Sequence, residues 1–296
     1  MAKTGFVQRE IAPVRPFVPD ASQAQVLALR VDESAVVLGV PGSGKTALLI
    51  ELVAARVAAG ANPDNIVVLS PNRVAASRLR NSLGLRLGSA TNGALARTPG
   101  SLAFALAQEH ALATGQAAPR MLTGSEQDSI IAELLLGHIE DGTGPAWPDP
   151  LVPEVRQRRA FRSELRDLFA RSTEMGRTPA DLRSQGLTRE HPEWVAASEF
   201  WSEYREVIAG FRTESFDSSE ILAIGANALA DSAVMPNVEL VLVDDAQELT
   251  YGAVRMLQAF ARRGVPVIVF GDPVITSTTF RGAVPNFLGR FAVELG

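Results

Sequence analysis

Gly39-Val40-Pro41-Gly42-Ser43-Gly44-Lys45-Thr46 matches G-x-x-x-x-G-K-[ST] at every fixed position, and its flanks decide what the match means. The apolar run Ala35-Val36-Val37-Leu38 leads into it, and residues 47–55 follow with helix-forming composition. Strand, glycine-rich loop and helix, in that order, form a phosphate-binding loop. Gly42 and Gly44 let backbone N–H groups turn inward around anionic oxygens, and the helix N-terminus adds partial positive charge. Lys45 is placed to reach the β- and γ-phosphates, and Thr46 to give its hydroxyl to Mg²⁺. Gly39, Pro41, Ser43 and Ala47 complete the stretch expected to wrap the nucleotide.

Outward from the loop, strands and helices alternate. A strand is expected over 66–70, and helices over 72–83 and 101–114, the latter apolar almost all round and therefore buried. Further apolar strands over 238–243 and 266–270 end in Asp244-Asp245 and in Gly271-Asp272-Pro273. Such strands imply an α/β fold with a mostly parallel sheet covered on both faces. Asp20 with Gln23, Thr123 with Glu126 and Asp217 with Glu220 carry the capping-box spacing that opens a helix. Residues 142–212 show no strand pattern. A glycine- and proline-dense linker over 141–153 is followed by an amphipathic helix over 155–172, with Phe161, Leu165, Leu168 and Phe169 on one face. Another helix, over 192–211, holds Trp194, Trp201 and Tyr204. The expected division is an α/β domain of residues 1–141 and 213–296, interrupted by an all-helical insertion, 142–212.

Composition narrows the class. The 296 residues are 46% hydrophobic and 21% charged, as in ordinary globular proteins. No apolar run approaches the ~18 residues of a bilayer span, and residues 1–19 lack the apolar core of a secretory leader. There is no cysteine, so no disulfide or zinc–thiolate site, and His110, His138 and His191 fit no metal-ligand spacing. A cytoplasmic protein without membrane association is expected. The net charge of −5 argues against wholesale coating of nucleic acid but not against a local groove. Residues 156–177 run against the average, with seven arginines against three acids. Arg158, Arg162 and Arg166, four apart, either line duplex phosphate or form a solvated helix face.

Asp244, at the carboxyl end of an apolar strand, stands where phosphate-loop proteins hold the nucleotide's Mg²⁺, and Asp245 is placed to orient or deprotonate an attacking water. With these residues the chain resembles UvrD/Rep-type superfamily 1 DNA helicases in six ordered blocks. Residues 20–27 resemble the adenine-reading glutamine motif, with Gln23 as the glutamine, and 39–46 are motif I. Ser70-Pro-Asn-Arg-Val-Ala-Ala76 is similar to T-x-T-N-x-A-A, and Thr98-Pro-Gly-Ser-Leu-Ala103 to T-F-H-S-L-A. Asp244-Asp-Ala-Gln-Glu-Leu-Thr250 resembles motif II, D-E-x-Q-D-L-[ST]. Residues 271–283 resemble motif III, G-D-P-D-Q-S-I-Y-x-[FW]-R-G-A. The closest likeness is to RecB-like helicase–nuclease subunits of the AdnA type.

The resemblance implies a RecA-like P-loop NTPase domain (1A) with an inserted helical subdomain (1B), binding ATP with Mg²⁺. It also implies contact with single-stranded or duplex DNA through Asn72, Arg73, Thr98, Ser101, Phe280 and Arg281. Phe280 either stacks on a base, worth ~1–3 kcal/mol, or packs in the core. Several positions depart from the family pattern. Asp245 stands where the family has Glu, one methylene longer, and Val274-Ile275 stand where it has Asp-Gln, whose glutamine senses the γ-phosphate. Thr278, Gly100 and Ala47 replace a tyrosine, a histidine and an arginine. Nucleotide-binding residues are kept while those coupling hydrolysis to movement are eroded. The expectation is a weakened motor, as in a heterodimer with a second motor subunit, acting in double-strand-break repair.

The chain reaches Gly296 just after motif III, whereas family members continue into a second RecA-like domain whose arginines are worth about 10³–10⁵ in rate. Slow hydrolysis by this chain alone is expected, whether it is a fragment or is completed by a partner. Two other readings stand: a non-catalytic ATP- and DNA-binding scaffold, and an unrelated phosphate-loop enzyme. For a GTPase the chain lacks N-K-x-D.

Overall fold

The computed structural model describes residues 17–88, 95–211, 214–274 and 287–295. Its first half runs α1 (Ala21–Leu27), β1 (Ala35–Leu38), α2 (Lys45–Ala58), β2 (Ile66–Leu69), α3 (Arg73–Leu87), β3 (Ala96–Arg97), α4 (Pro99–Thr114), β4 (Arg120–Met121) and α5 (Gly124–Asp141). Then come α6 (Pro153–Arg156), α7 (Arg159–Glu174), α8 (Pro179–Thr188), α9 (Pro192–Phe211) and β5 (Ser215–Phe216). The chain closes with α10 (Ser218–Ala228), β6 (Leu240–Val243), α11 (Tyr251–Arg262), β7 (Val267–Gly271) and α12 (Phe291–Leu295).

Five strands form one sheet in the order β1-β7-β6-β2-β3, every pair parallel. The α/β expectation holds. Side chains alternate across a strand, and here both faces are apolar. Val67, Leu69, Val241, Val243, Val267 and Val269 pack under α4, α10 and α11. Ile66, Val68, Leu240, Leu242, Ile268 and Phe270 meet α2 and α3 on the other side. Register sets Leu38 opposite Gly271, and Val243 opposite both Leu69 and Val269. All strands therefore end on one edge, which gathers the phosphate loop, Ser70, Asp244 and Asp272.

A third core belongs to helices alone. Phe169 of α7 stacks on Trp201 of α9, centroids 5.3 Å apart and planes 6° from parallel, with Phe200, Tyr204 and Leu182 around them. Ile131 and Leu135 of α5 belong to this core too, so the helical packing begins before the boundary expected at 142. Two residues each of β4 and β5 pair in parallel, Arg120 with Ser215 and Met121 with Phe216, where the chain enters and leaves the helices.

Two sequence expectations need correction, and one helix was not expected. The helix expected over 155–172 is two, α6 and α7, broken between Arg156 and Arg159. Helix α8 went unread because its capping box, Thr178 with Asp181, uses aspartate instead of Glu or Gln at the third position. The arginine stripe is divided: Arg158 is exposed, while the other two arginines are engaged within the protein. Arg162 grips the Asp128 carboxylate with two nitrogens at 2.9 and 3.0 Å, and Arg166 donates to the Gly124 carbonyl, so both tie α7 to α5.

The capping box of α10 half-buries two acids. Asp217 accepts from the N–H groups of Ser219 and Glu220, and Glu220 accepts from that of Asp217. Burial, then the Asp217 charge, pushes the Glu220 carboxyl up to about 7. A carboxyl raised on folding stabilises the fold below its unfolded pKa and loses that contribution as pH rises through the folded value. Glu220→Gln keeps the accepting oxygen without the charge. It is expected to stabilise the protein by about 1–3 kcal/mol at pH 8 and by almost nothing at pH 4.5, read as melting temperatures of the two proteins across that range.

Candidate functional site: a phosphate loop facing a buried carboxylate

The loop after β1 takes the backbone that its glycines permit. Gly42 and Gly44 sit at φ of +80° and +84°, the left-handed region that strains any L side chain. Gly44 is also the N-cap of α2. A Cβ on Gly39 would lie 2.5 Å from the Ser43 hydroxyl, so a larger residue there would make that side chain turn away. Lys45 Nζ folds back onto the loop, donating to the Gly39 carbonyl at 2.7 Å and to that of Val40 at 3.0 Å. Pro41, Gly42, Ser43, Thr46 and Ala47 lie exposed.

Gln23 reaches the loop from α1. Its Oε1 accepts from the Asp20 N–H at 3.1 Å, closing the expected capping box, and its Nε2 donates to the Ser43 carbonyl at 3.3 Å.

Across the sheet edge, Thr46 Oγ1 donates to Asp244, 3.0 and 3.2 Å from the two carboxylate oxygens. Asp244 is 5% exposed. Burial first, and then the neighbouring Asp245, pushes its carboxyl up to about 6, against the Thr46 hydrogen bond and the Lys45 charge. This is a buried acid short of positive charge. A hydroxyl and a carboxylate are hard oxygen donors, and Mg²⁺ is usually held by one or two carboxylates plus phosphate and water. Among the described residues no cluster of three or more His, Cys, Asp or Glu could cage a metal alone. Thr46 and Asp244 thus fit Mg²⁺ arriving with a triphosphate.

Asp245 turns the chain at φ +49° into the short helical turn Ala246–Glu248. Gln247 Nε2 holds its carboxylate at 3.3 Å, while Gln247 Oε1 accepts from the Asp272 N–H at 3.0 Å. Gln247 joins the strand ends of β6 and β7, and sequence reasoning passed over it. Its only signal was the glutamine three positions after Asp244.

A groove of about 830 Å³ opens beside this site. It gathers Asn72 and Arg73 after β2 with Thr98 and Ser101 after β3. Asn72 Oδ1 caps α3 by accepting from the Ala75 N–H, and Thr98 Oγ1 caps α4 from Ser101. Arg80, Arg97, Ser218 and Thr250 join the wall, as do the acids Glu174 and Glu248, and the first residues or caps of α3, α4, α10 and α11 face one channel. Helix N-termini and arginines favour an anion there. Burial and then Arg80 press down the Arg97 guanidinium pKa. The segment from Asp244 to Thr250 serves both places, starting under the phosphate loop and ending in the groove.

The family model described as UvrD/REP helicase N-terminal domain matches residues 20–295. The chain belongs to that family. No curated protein matches the chain significantly. Membership in the UvrD/REP family makes this an ATP-dependent DNA helicase motor in general class, binding ATP and DNA. Of the six expected DNA contacts, Asn72, Arg73, Thr98 and Ser101 share the groove. Phe280 and Arg281 lie outside the described residues, as do the divergent Ile275 and Thr278. No helix among the described residues is long and apolar enough to cross a membrane.

Proposed function

We propose that this chain is the nucleotide-binding first motor domain (1A with 1B) of a helicase–nuclease subunit of the RecB-like, AdnA type, working in the cytoplasm in double-strand-break repair with a second motor subunit. The observation that carries the nucleotide site is the 3.0 Å contact between Thr46 and Asp244 beside Lys45. In this reading Lys45 leaves the loop carbonyls for the β- and γ-phosphates, and the N–H groups of 42–46 cradle them. Bound Mg²⁺ would neutralise phosphate charge, held by Thr46 and Asp244. Gln23 lies on the adenine side, and Asp245 orients the attacking water. Single-stranded DNA lies along Asn72, Arg73, Thr98 and Ser101, with Phe280 and Arg281 extending the track. The 1B insertion is residues 142–212, supported on its near side by α5.

Hydrolysis is weakened in this reading. Aspartate at 245 is a methylene short of the family's glutamate, and proton transfer requires hydrogen-bond reach of the water. Ile275 has no group to sense a γ-phosphate. Those same departures favour the second reading, an ATP- and DNA-binding scaffold. Turnover with and without single-stranded DNA separates the two. With the second motor domain supplied, Asp245→Glu is expected to raise DNA-stimulated ATP turnover about 10-fold or more. Turnover equally negligible in wild type and Asp245→Glu, with DNA and the second motor domain present, would leave only the scaffold.

A further inference from the structure

Glu174, the last residue of α7, reaches from the helical insertion into the wall of the groove. Its Oε2 accepts from the Gly252 N–H at 3.5 Å, at the first turn of α11. That helix has no side-chain cap of its own from Thr250. Packing at Gly252 is close: a Cβ there would lie 3.0 Å from Leu222 and in ordinary contact, 3.5 Å, with Glu174 Cγ. The turn after Glu174 meets α11 again, since a Cβ on Gly176 would lie 3.5 Å from Arg255 Nη1. Helix α11 begins at Tyr251, one residue past the segment that carries Asp244 and Asp245.

We propose that Glu174 is a positioning residue through which a DNA strand in the groove is felt at Asp244 and Asp245. The inference rests on the DNA reading of the groove. In the DNA-free protein the carboxylate supplies the cap that α11 lacks and fixes the insertion against that helix. Phosphodiesters entering between Arg73, Arg97 and Thr98 bring like charge beside it, in surroundings that screen poorly. Burial already presses on this carboxylate and raises its pKa, with Asp217 adding to the pressure. The strand therefore favours withdrawal of Glu174 from Gly252, and the start of α11 is released with it. Linkage makes the effect reciprocal, so whatever the nucleotide does to the Asp244 segment returns as a change in DNA affinity.

The test is fluorescence anisotropy of a labelled oligo-dT, with and without Mg²⁺ and a non-hydrolysable ATP analogue, on wild type, Glu174→Gln and Glu174→Ala. Both variants are expected to bind the oligonucleotide about 3- to 10-fold tighter than wild type at low salt. The nucleotide's effect on that affinity is expected to shrink in both. A merely structural cap predicts something else: a lower melting temperature for Glu174→Ala, restored in Glu174→Gln, with DNA affinity unchanged or weaker. Equal or weaker binding by both variants, or undiminished nucleotide coupling, overturns the role of Glu174 and leaves the DNA reading intact. No binding by any of the three, wild type included, overturns both.

Discussion

Lys45→Ala is expected to weaken binding of Mg-ATP by about 100-fold, close to 2.7 kcal/mol, as measured by titration of a fluorescent ATP analogue. In the proposed reading Lys45 swings from the loop carbonyls to the phosphates, and alanine leaves that cation unreplaced. The fold should tolerate the change. Lys45 makes two hydrogen bonds to loop carbonyls, and its loss leaves both sheet cores intact. Binding reduced less than about 3-fold, with the protein folded, would mean that the loop does not hold a triphosphate.

Phe169→Ala carries the largest expected effect on stability, about 3–5 kcal/mol. Phe169 is 2% exposed and lies between Trp201 and Phe200, with Tyr204 at 6.1 Å. Replacement removes both stacked contacts and opens a cavity among helices that share no core with the sheet. The three tryptophans, Trp147, Trp194 and Trp201, all pack in or against this helical core, so tryptophan fluorescence, excited selectively, follows its unfolding. The expected result is an early fluorescence transition while the nucleotide titration stays near wild type. A single transition at the wild-type temperature would show that the aromatic stack contributes little.

The sheet was legible because β2, β6 and β7 are buried on both faces, which forces uninterrupted apolar runs such as Val67-Val68-Leu69. The starts of α1, α5 and α10 were legible for a local reason, since both partners of each capping box lie within four residues. The two-residue strands β3, β4 and β5 are too short for any period. Arg162 read as part of a surface stripe because its partner Asp128 is 34 positions away. Glu174 carried no signal at all, since its contact with Gly252 spans 78 positions and exists only through packing. The pairing of Thr46 with Asp244 was inferred from where each stands relative to its strand, and parallel register is what brings the two together.

The meeting of Thr46 and Asp244 is the claim on which the nucleotide site depends. Its most direct measurement is the Mg²⁺ dependence of ATP-analogue affinity in wild type and Asp244→Asn. The account predicts that Mg²⁺ tightens binding by wild type and that Asp244→Asn, which keeps the shape but loses the charge, abolishes most of that gain. Equal tightening in both proteins, or binding indifferent to Mg²⁺ in wild type, would contradict it.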